Sequence, residues 1–130
     1  MTNSSLKPVL RFPEYTSSWY KTRLGQYGVF QNGLNKGSSD FGFGHPFINL
    51  LDVFGKNEIN TPNLNLVNAN QKELKTYNIK EGDVLFTRSS VKREGVGEAA
   101  LCNKSLPNTV YSGFLIRYRT NSKSLIINDF

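Results

Sequence analysis

The sequence predicts an α+β domain built mainly of short β-strands with one or two short helices. Three observations lead there. The apolar runs are brief and rich in Val, Ile, Tyr and Phe, Gly- and Asn-containing turn signals separate them, and only one segment carries a clear helix-start signal. The chain has 130 residues, 38% hydrophobic and 12% aromatic, which suits one domain spanning 1–130 with a modest core.

Residues 1–9 are expected to be flexible, since Met1–Ser5 is polar and terminal. Leu10-Arg11-Phe12-Pro13-Glu14-Tyr15 reads as extended, because Pro13 pushes Phe12 out of the helical region. Trp19–Leu24 is a short approach to a first strand over Gly25–Gln31, which carries Tyr27, Val29 and Phe30. Asn32-Gly33 is then a turn signal. Leu34–Pro46, glycine-rich and with no helical period, reads as loop. Phe47–Phe54 returns to an apolar pattern and reads as a strand that a turn of helix can follow. A polar loop, Gly55–Asn63, leads to a short strand over Leu64–Val67.

Asn70-Gln71-Lys72-Glu73 has capping-box spacing, which predicts a helix from Gln71 to near Tyr77. Asn78–Asp83 turns the chain into a strand over Val84–Thr87. Further strands are expected at Glu98–Cys102 and Val110–Arg119. In the last of these, alternation puts Val110, Ser112, Phe114, Ile116 and Tyr118 on one face, and Tyr111, Gly113, Leu115, Arg117 and Arg119 on the other. Asn121-Ser122 suggests a turn before a final short run, Leu125–Ile127.

Several chemistries find no support. The single cysteine, Cys102, lies in an apolar stretch and reads as a small buried residue in a reducing compartment. One His and one Cys do not make a zinc site or a Cys–His pair. The carboxylates are scattered, and Asp83 after Gly82 reads as a turn residue. Gly37, Gly42 and Gly44 lack the Gly-Lys-Ser/Thr that ends a phosphate loop. The expectation is therefore a protein that is not an enzyme and holds no cofactor or metal. No run of roughly 18 apolar residues predicts a membrane span. The first residues lack the apolar stretch of a secretory signal, so the expected location is the cytoplasm.

Charge points to an anionic partner: 16 Lys and Arg against 10 Asp and Glu give +6, with pI near 9.6. Two polar segments hold the residue types that contact DNA. The first contains Asn32, Asn35, Lys36, Ser38, Ser39, Asp40 and His45 among glycines. The second is Thr87–Gly95, with Arg88, Ser89, Ser90, Lys92 and Arg93. Arg and Lys bond guanine, Asn bonds adenine, and Ser serves phosphate or base. Each segment alone reads equally well as a solvated hairpin loop; the two together in a basic chain favour binding. Tyr15, Trp19, Tyr20, Tyr27 and Phe30 could stack on bases, but their strand-like positions favour core packing.

The order of motifs adds a resemblance. "LRFPEY", "W", "LGQYGVFQNGL", "GHPFINLLDVF", "LKTYNIKEGDVLFTRSS", "VGEAAL" and "YSGFLIRYR" follow one another from Leu10 to about Arg119. The series resembles a target-recognition domain of the DNA-specificity (S) subunits of type I restriction–modification systems. The most specific part is "GDVLFTRSS…EGVGEAAL…YSGFLIRYR". The resemblance implies a non-catalytic reader of double-stranded DNA. In that family two such domains, joined by long conserved helices, each read half of a split target. The helices dock modification (methyltransferase) subunits, which carry S-adenosylmethionine, and restriction subunits join that core. This chain holds one recognition domain and lacks those spacer helices, so it looks like a half-unit. Its end at Phe130, just after an apolar run, also hints at a module that continues.

Carried onto this sequence, the family's DNA-facing loops fall on Lys36-Gly37-Ser38-Ser39 and on Arg88-Ser89-Ser90 with Lys92 and Arg93. Arg88 is expected nearest a base edge or phosphate, with Lys92 and Arg93 mostly on phosphates. The competing expectation is a protein-interaction module that docks on modification subunits or on another half-unit without reading DNA.

Overall fold

The computed structural model describes residues 7–19, 21–59, 63–89 and 93–121. Among them lie seven strands and two short α-helices. In chain order they are β1 (Gly28–Asn32), β2 (Phe41–Ile48), α1 (Leu50–Val53), β3 (Asn65–Val67), α2 (Gln71–Thr76), β4 (Val84–Thr87), β5 (Ala99–Leu101), β6 (Val110–Tyr111) and β7 (Leu115–Thr120). The α+β class expected from the sequence is the class observed.

The strands form two sheets. One has four strands in the order β1-β7-β4-β5, all antiparallel; the other has three, β3-β2-β6, with β2 and β6 parallel. The inner face of the larger sheet follows from register. Leu85 stands opposite both Arg117 and Ala100, and residues directly opposite one another share a face. That face meets Ile48, Val53, Ile59, Ile79, Cys102, Tyr111 and Leu115 in one apolar cluster. A second cluster, Leu34, Phe47, Val67, Ala69, Leu74 and Val110, lies under α2, and Tyr77 packs against both.

Local rules account for the helices. Asn70 accepts from the Glu73 N–H at 2.9 Å, and the Glu73 carboxylate accepts from the Asn70 N–H at 3.1 Å, the reciprocal pair that the spacing predicts. Asn49 and Asp52 repeat the arrangement at the start of α1. Helix α1 is only one turn long, too short to leave a helical period in the sequence.

Four expectations need correction. The segment Leu34–Pro46 is not all loop, because β2 begins at Phe41. The glycines that disguise it, Gly42 and Gly44, take φ of 99° and 100° and form an irregularity where Phe41 and His45 both stand opposite Val67. The strand expected over Val110–Arg119 is two strands in different sheets, separated by a tight turn that the Leu115 N–H closes on the Ser112 carbonyl at 2.9 Å. The segment Leu10–Tyr15 is not extended throughout: the Tyr15 N–H bonds the Phe12 carbonyl at 3.0 Å, so Pro13-Glu14 forms a turn. Tyr15 and Trp19 are not core residues, being 65% and 64% exposed, and Phe30 is 47% exposed while stacking on Tyr118 with ring centres 4.7 Å apart. Tyr27 is half-buried. Tyr20, most of the flexible segment expected at the N-terminus, and the run Leu125–Ile127 lie outside the described residues.

Cys102 is buried as expected, and burial pushes its thiol to about 12, so it stays protonated at neutral pH. Among the described residues no His/Cys/Asp/Glu group could hold a metal, and no helix is long and apolar enough to cross a membrane.

Candidate nucleic-acid interface

The second basic segment is the connection between β4 and β5, and its base is rigid. Thr87 is 2% exposed; its hydroxyl donates to the Gly95 carbonyl, its N–H donates to Glu98 O at 2.8 Å, and its carbonyl accepts from Gly97 at 2.9 Å. A fixed strand end therefore delivers Arg88 and Ser89 to the surface, both exposed. Arg93 starts a 3-10 turn over Arg93–Gly95 and is exposed too. Ser90 and Lys92 lie outside the described residues.

The first segment approaches the same place from the other side of β7. Strand order puts β1 and β4 on either side of β7. Asn32, at the end of β1, stands opposite Ile116, while Thr87, at the end of β4, stands opposite Leu115. The chain then leaves the larger sheet at Gly33 and joins the smaller one, where Leu34 bridges Ser112.

The turn Ser112-Gly113-Phe114 is where the two segments meet. The Arg88 N–H bonds the Phe114 carbonyl at 2.8 Å, and Arg88 Nη1 reaches the Gly113 carbonyl at 3.3 Å. From the opposite side, the Gly113 N–H bonds the Leu34 carbonyl at 2.9 Å, and the Asn35 side-chain amide lies where a Gly113 side chain would be. Asn32, Asn35, Arg88 and Ser89 thus collect at one corner where the two sheets join. Sequence reasoning missed the Ser112–Phe114 turn because an unbroken alternation over Val110–Arg119 conceals it.

The structure does not bring the remaining residues to that corner. Lys36 is half-buried and pairs with Glu73 of α2, Nζ to Oε1 at 2.9 Å. The hydrogen bond from Lys36 holds the Glu73 carboxyl below its usual range, so the pair stays ionised at neutral pH. Ser38 and Ser39 are exposed in a 3-10 turn over Ser38–Asp40, and Asp40 accepts from the Asn68 side chain at 3.1 Å. His45 is half-buried opposite Val67. Lys36 therefore lies beside the first turn of α2, and Asp40 beside Asn68 just before it.

Two cations counted in the basic surplus are committed inside. Arg119 makes a two-pronged bond to Asp83, Nε to Oδ1 at 2.8 Å and Nη2 to Oδ2 at 2.7 Å. Arg117 is 8% exposed, donates to Asn78 O at 2.6 Å and Thr76 O at 3.3 Å, and sits 5.5 Å from the Tyr111 ring centre. It satisfies a terminal carbonyl of α2 that would otherwise lack a partner. Burial lowers the Arg117 value, yet guanidinium remains charged at any ordinary pH. By contrast Arg88 and Arg93 make no ion pair among the described residues. Their charge is available to a partner.

No protein-family model matches the chain. Over 96 residues, 73% of its length, it is 29% identical to the type I restriction enzyme EcoKI specificity subunit of Escherichia coli (strain K12). It spans about a fifth of that protein, 20%. A chain in a solved structure addressing complex assembly and conformational transition of the type I R-M system superposes with a TM-score of 0.53 at 23% identity, over 77% of this chain and 23% of that one. The resemblance read from the motifs holds. This chain shares its fold with a chain of a type I R-M system. In this fold, the corner formed by Arg88, Gly113 and Asn35 joins the motif stretches "GDVLFTRSS" and "YSGFLIRYR" to the Asn-Gly segment.

Proposed function

We propose that the chain is a sequence-specific double-stranded DNA-binding module, the recognition domain of a type I restriction–modification specificity subunit. It reads one half of a split target and directs methylation and cleavage by modification and restriction subunits in the cytoplasm. It is not itself an enzyme, and 1–130 acts as one recognition domain. The observation that carries this reading is the convergence of Arg88, Ser89, Asn32 and Asn35 on the Gly113 corner, in a fold shared with a type I system. A rigid sheet end bearing guanidinium, hydroxyl and carboxamide groups is what base-edge recognition requires. In this reading Lys92 and Arg93 bind mostly phosphates, and Ser90, Lys36, Ser38, Ser39 and His45 supply further DNA contacts.

Arg88→Ala tests it. If Arg88 reads a base, selection from a randomised duplex pool loses preference at one position, and affinity for the selected duplex falls by about 1–3 kcal/mol. A uniform loss across sequences assigns Arg88 to a phosphate. No change in either measurement removes the corner from the interface.

A second reading rests on the N-terminal segment, where Val9, Leu10, Phe12, Tyr15 and Trp19 are all more than half exposed. Such a patch suits docking on a modification subunit or another half-unit. Co-purification with a modification subunit, unaffected by charge reversal at Lys92 and Arg93 and unaccompanied by duplex binding, would favour it.

A further inference from the structure

Phe114 is an apolar side chain fixed at the centre of a polar corner. It is 56% exposed, and its ring stacks on no other aromatic ring among the described residues. Its backbone is held on both sides: the Phe114 N–H donates to Ser112 Oγ at 3.1 Å, and its carbonyl accepts from Arg88 at 2.8 Å. The turn it occupies is closed by the bond from Leu115 to Ser112 at 2.9 Å. The neighbours on one side are Arg88 and Ser89. On the other, Asn35 packs against the adjacent Gly113 and Asn32 ends β1 opposite Ile116; all four are exposed.

A single exposed apolar residue is ordinary. This one is aimed outward by a fixed backbone, between the side-chain types that bond guanine and adenine. The edge that a duplex displays in its major groove is a row of donors and acceptors with one apolar group, the thymine C5-methyl. A surface offering guanidinium, phenyl and carboxamide side by side matches an edge offering guanine, thymine and adenine. We propose that Phe114 contacts the C5-methyl of a thymine in the recognised half-site, beside the base or phosphate that Arg88 engages. The inference rests on the DNA-binding reading above and adds a specificity-determining residue to it.

The test uses the full chain and a pool of duplexes with a randomised segment. Wild-type protein should enrich sequences with at least one invariant thymine; Phe114→Ala should lose that preference while keeping its melting temperature. The decisive arm replaces each thymine of the selected duplex in turn by uracil, which removes only the methyl group. Wild-type affinity should fall about four-fold at one position, the effect of one buried methyl-sized group. Phe114→Ala should bind the thymine and uracil duplexes equally. Wild-type protein that selects a sequence yet tolerates uracil at every position overturns the inference and leaves the DNA reading intact. Wild-type protein that selects no sequence overturns the reading and the inference with it.

Discussion

Asp83→Ala is expected to lower folding stability by about 3 kcal/mol. Asp83 is 1% exposed and is the acceptor of three bonds: from the Lys80 N–H at 2.8 Å and from Arg119 Nε and Nη2 at 2.8 and 2.7 Å. Removing it orphans the turn N–H and leaves Arg119 without its anion, close to the buried Arg117. Loss of one partner from a buried pair costs about 3–5 kcal/mol, mostly the desolvation of the charge left behind. The lower end applies because the Arg119 side chain keeps 28% exposure and can draw on water. Urea unfolding would show the midpoint shift at an unchanged slope. A midpoint equal to wild type would mean that the Asp83–Arg119–Asn78 network contributes no net stability.

The second large effect is expected at Gly33. A Cβ there would collide with the Ser112 carbonyl group and come within 2.7 Å of the Tyr111 carbonyl oxygen. All these atoms are backbone, so no side chain can move aside. The bond from Gly33 to the Leu115 carbonyl, 3.2 Å, also fixes the chain at this crossing between sheets. Gly33→Ala should cost about 3 kcal/mol, the upper end for overpacking, and lower the melting temperature by about 10 °C. Gly37→Ala is the matched control. It sits in the same segment with extended backbone, an added Cβ there would meet nothing within 4 Å, and it should melt with wild type. Equal melting of Gly33→Ala and Gly37→Ala would contradict the packed crossing.

Which parts of the fold are legible in the sequence follows from what is local. The cap of α2 needs only Asn70 and Glu73 at the right spacing, and strand β4 needs only Val84, Leu85 and Phe86 between a Gly-Asp turn and a basic loop. Both lie where the sequence predicts them. The start of β2 is hidden because Gly42 and Gly44 dilute its apolar pattern, and their positive φ values make the bulge that a loop composition imitates. The break between β6 and β7 is hidden for the opposite reason. Alternation runs through Ser112–Phe114 without interruption, and only the tertiary pairing, β6 with β2 and β7 with β1 and β4, shows that the chain changes sheets there.

The candidate site divides in the same way. The Arg88 loop is legible from residue type. Its meeting with Asn35 through Gly113 is a tertiary fact, and so is the inward use of Arg117 and Arg119, which composition counts with the surface cations. Lys36 likewise carries a charge that the sequence offers to DNA and the structure gives to Glu73.

The most direct test of the central claim is the salt dependence of duplex binding by the intact chain, measured for wild type and for a variant with both Arg88 and Arg93 changed to alanine. The sheet-end account predicts that wild-type affinity falls with a log–log slope of about −2 to −4, and that the variant's slope is shallower by about 1 if Arg88 reads a base and by about 2 if Arg88, like Arg93, neutralises a phosphate. Absence of duplex binding at low salt, or a variant with the wild-type slope, would contradict it.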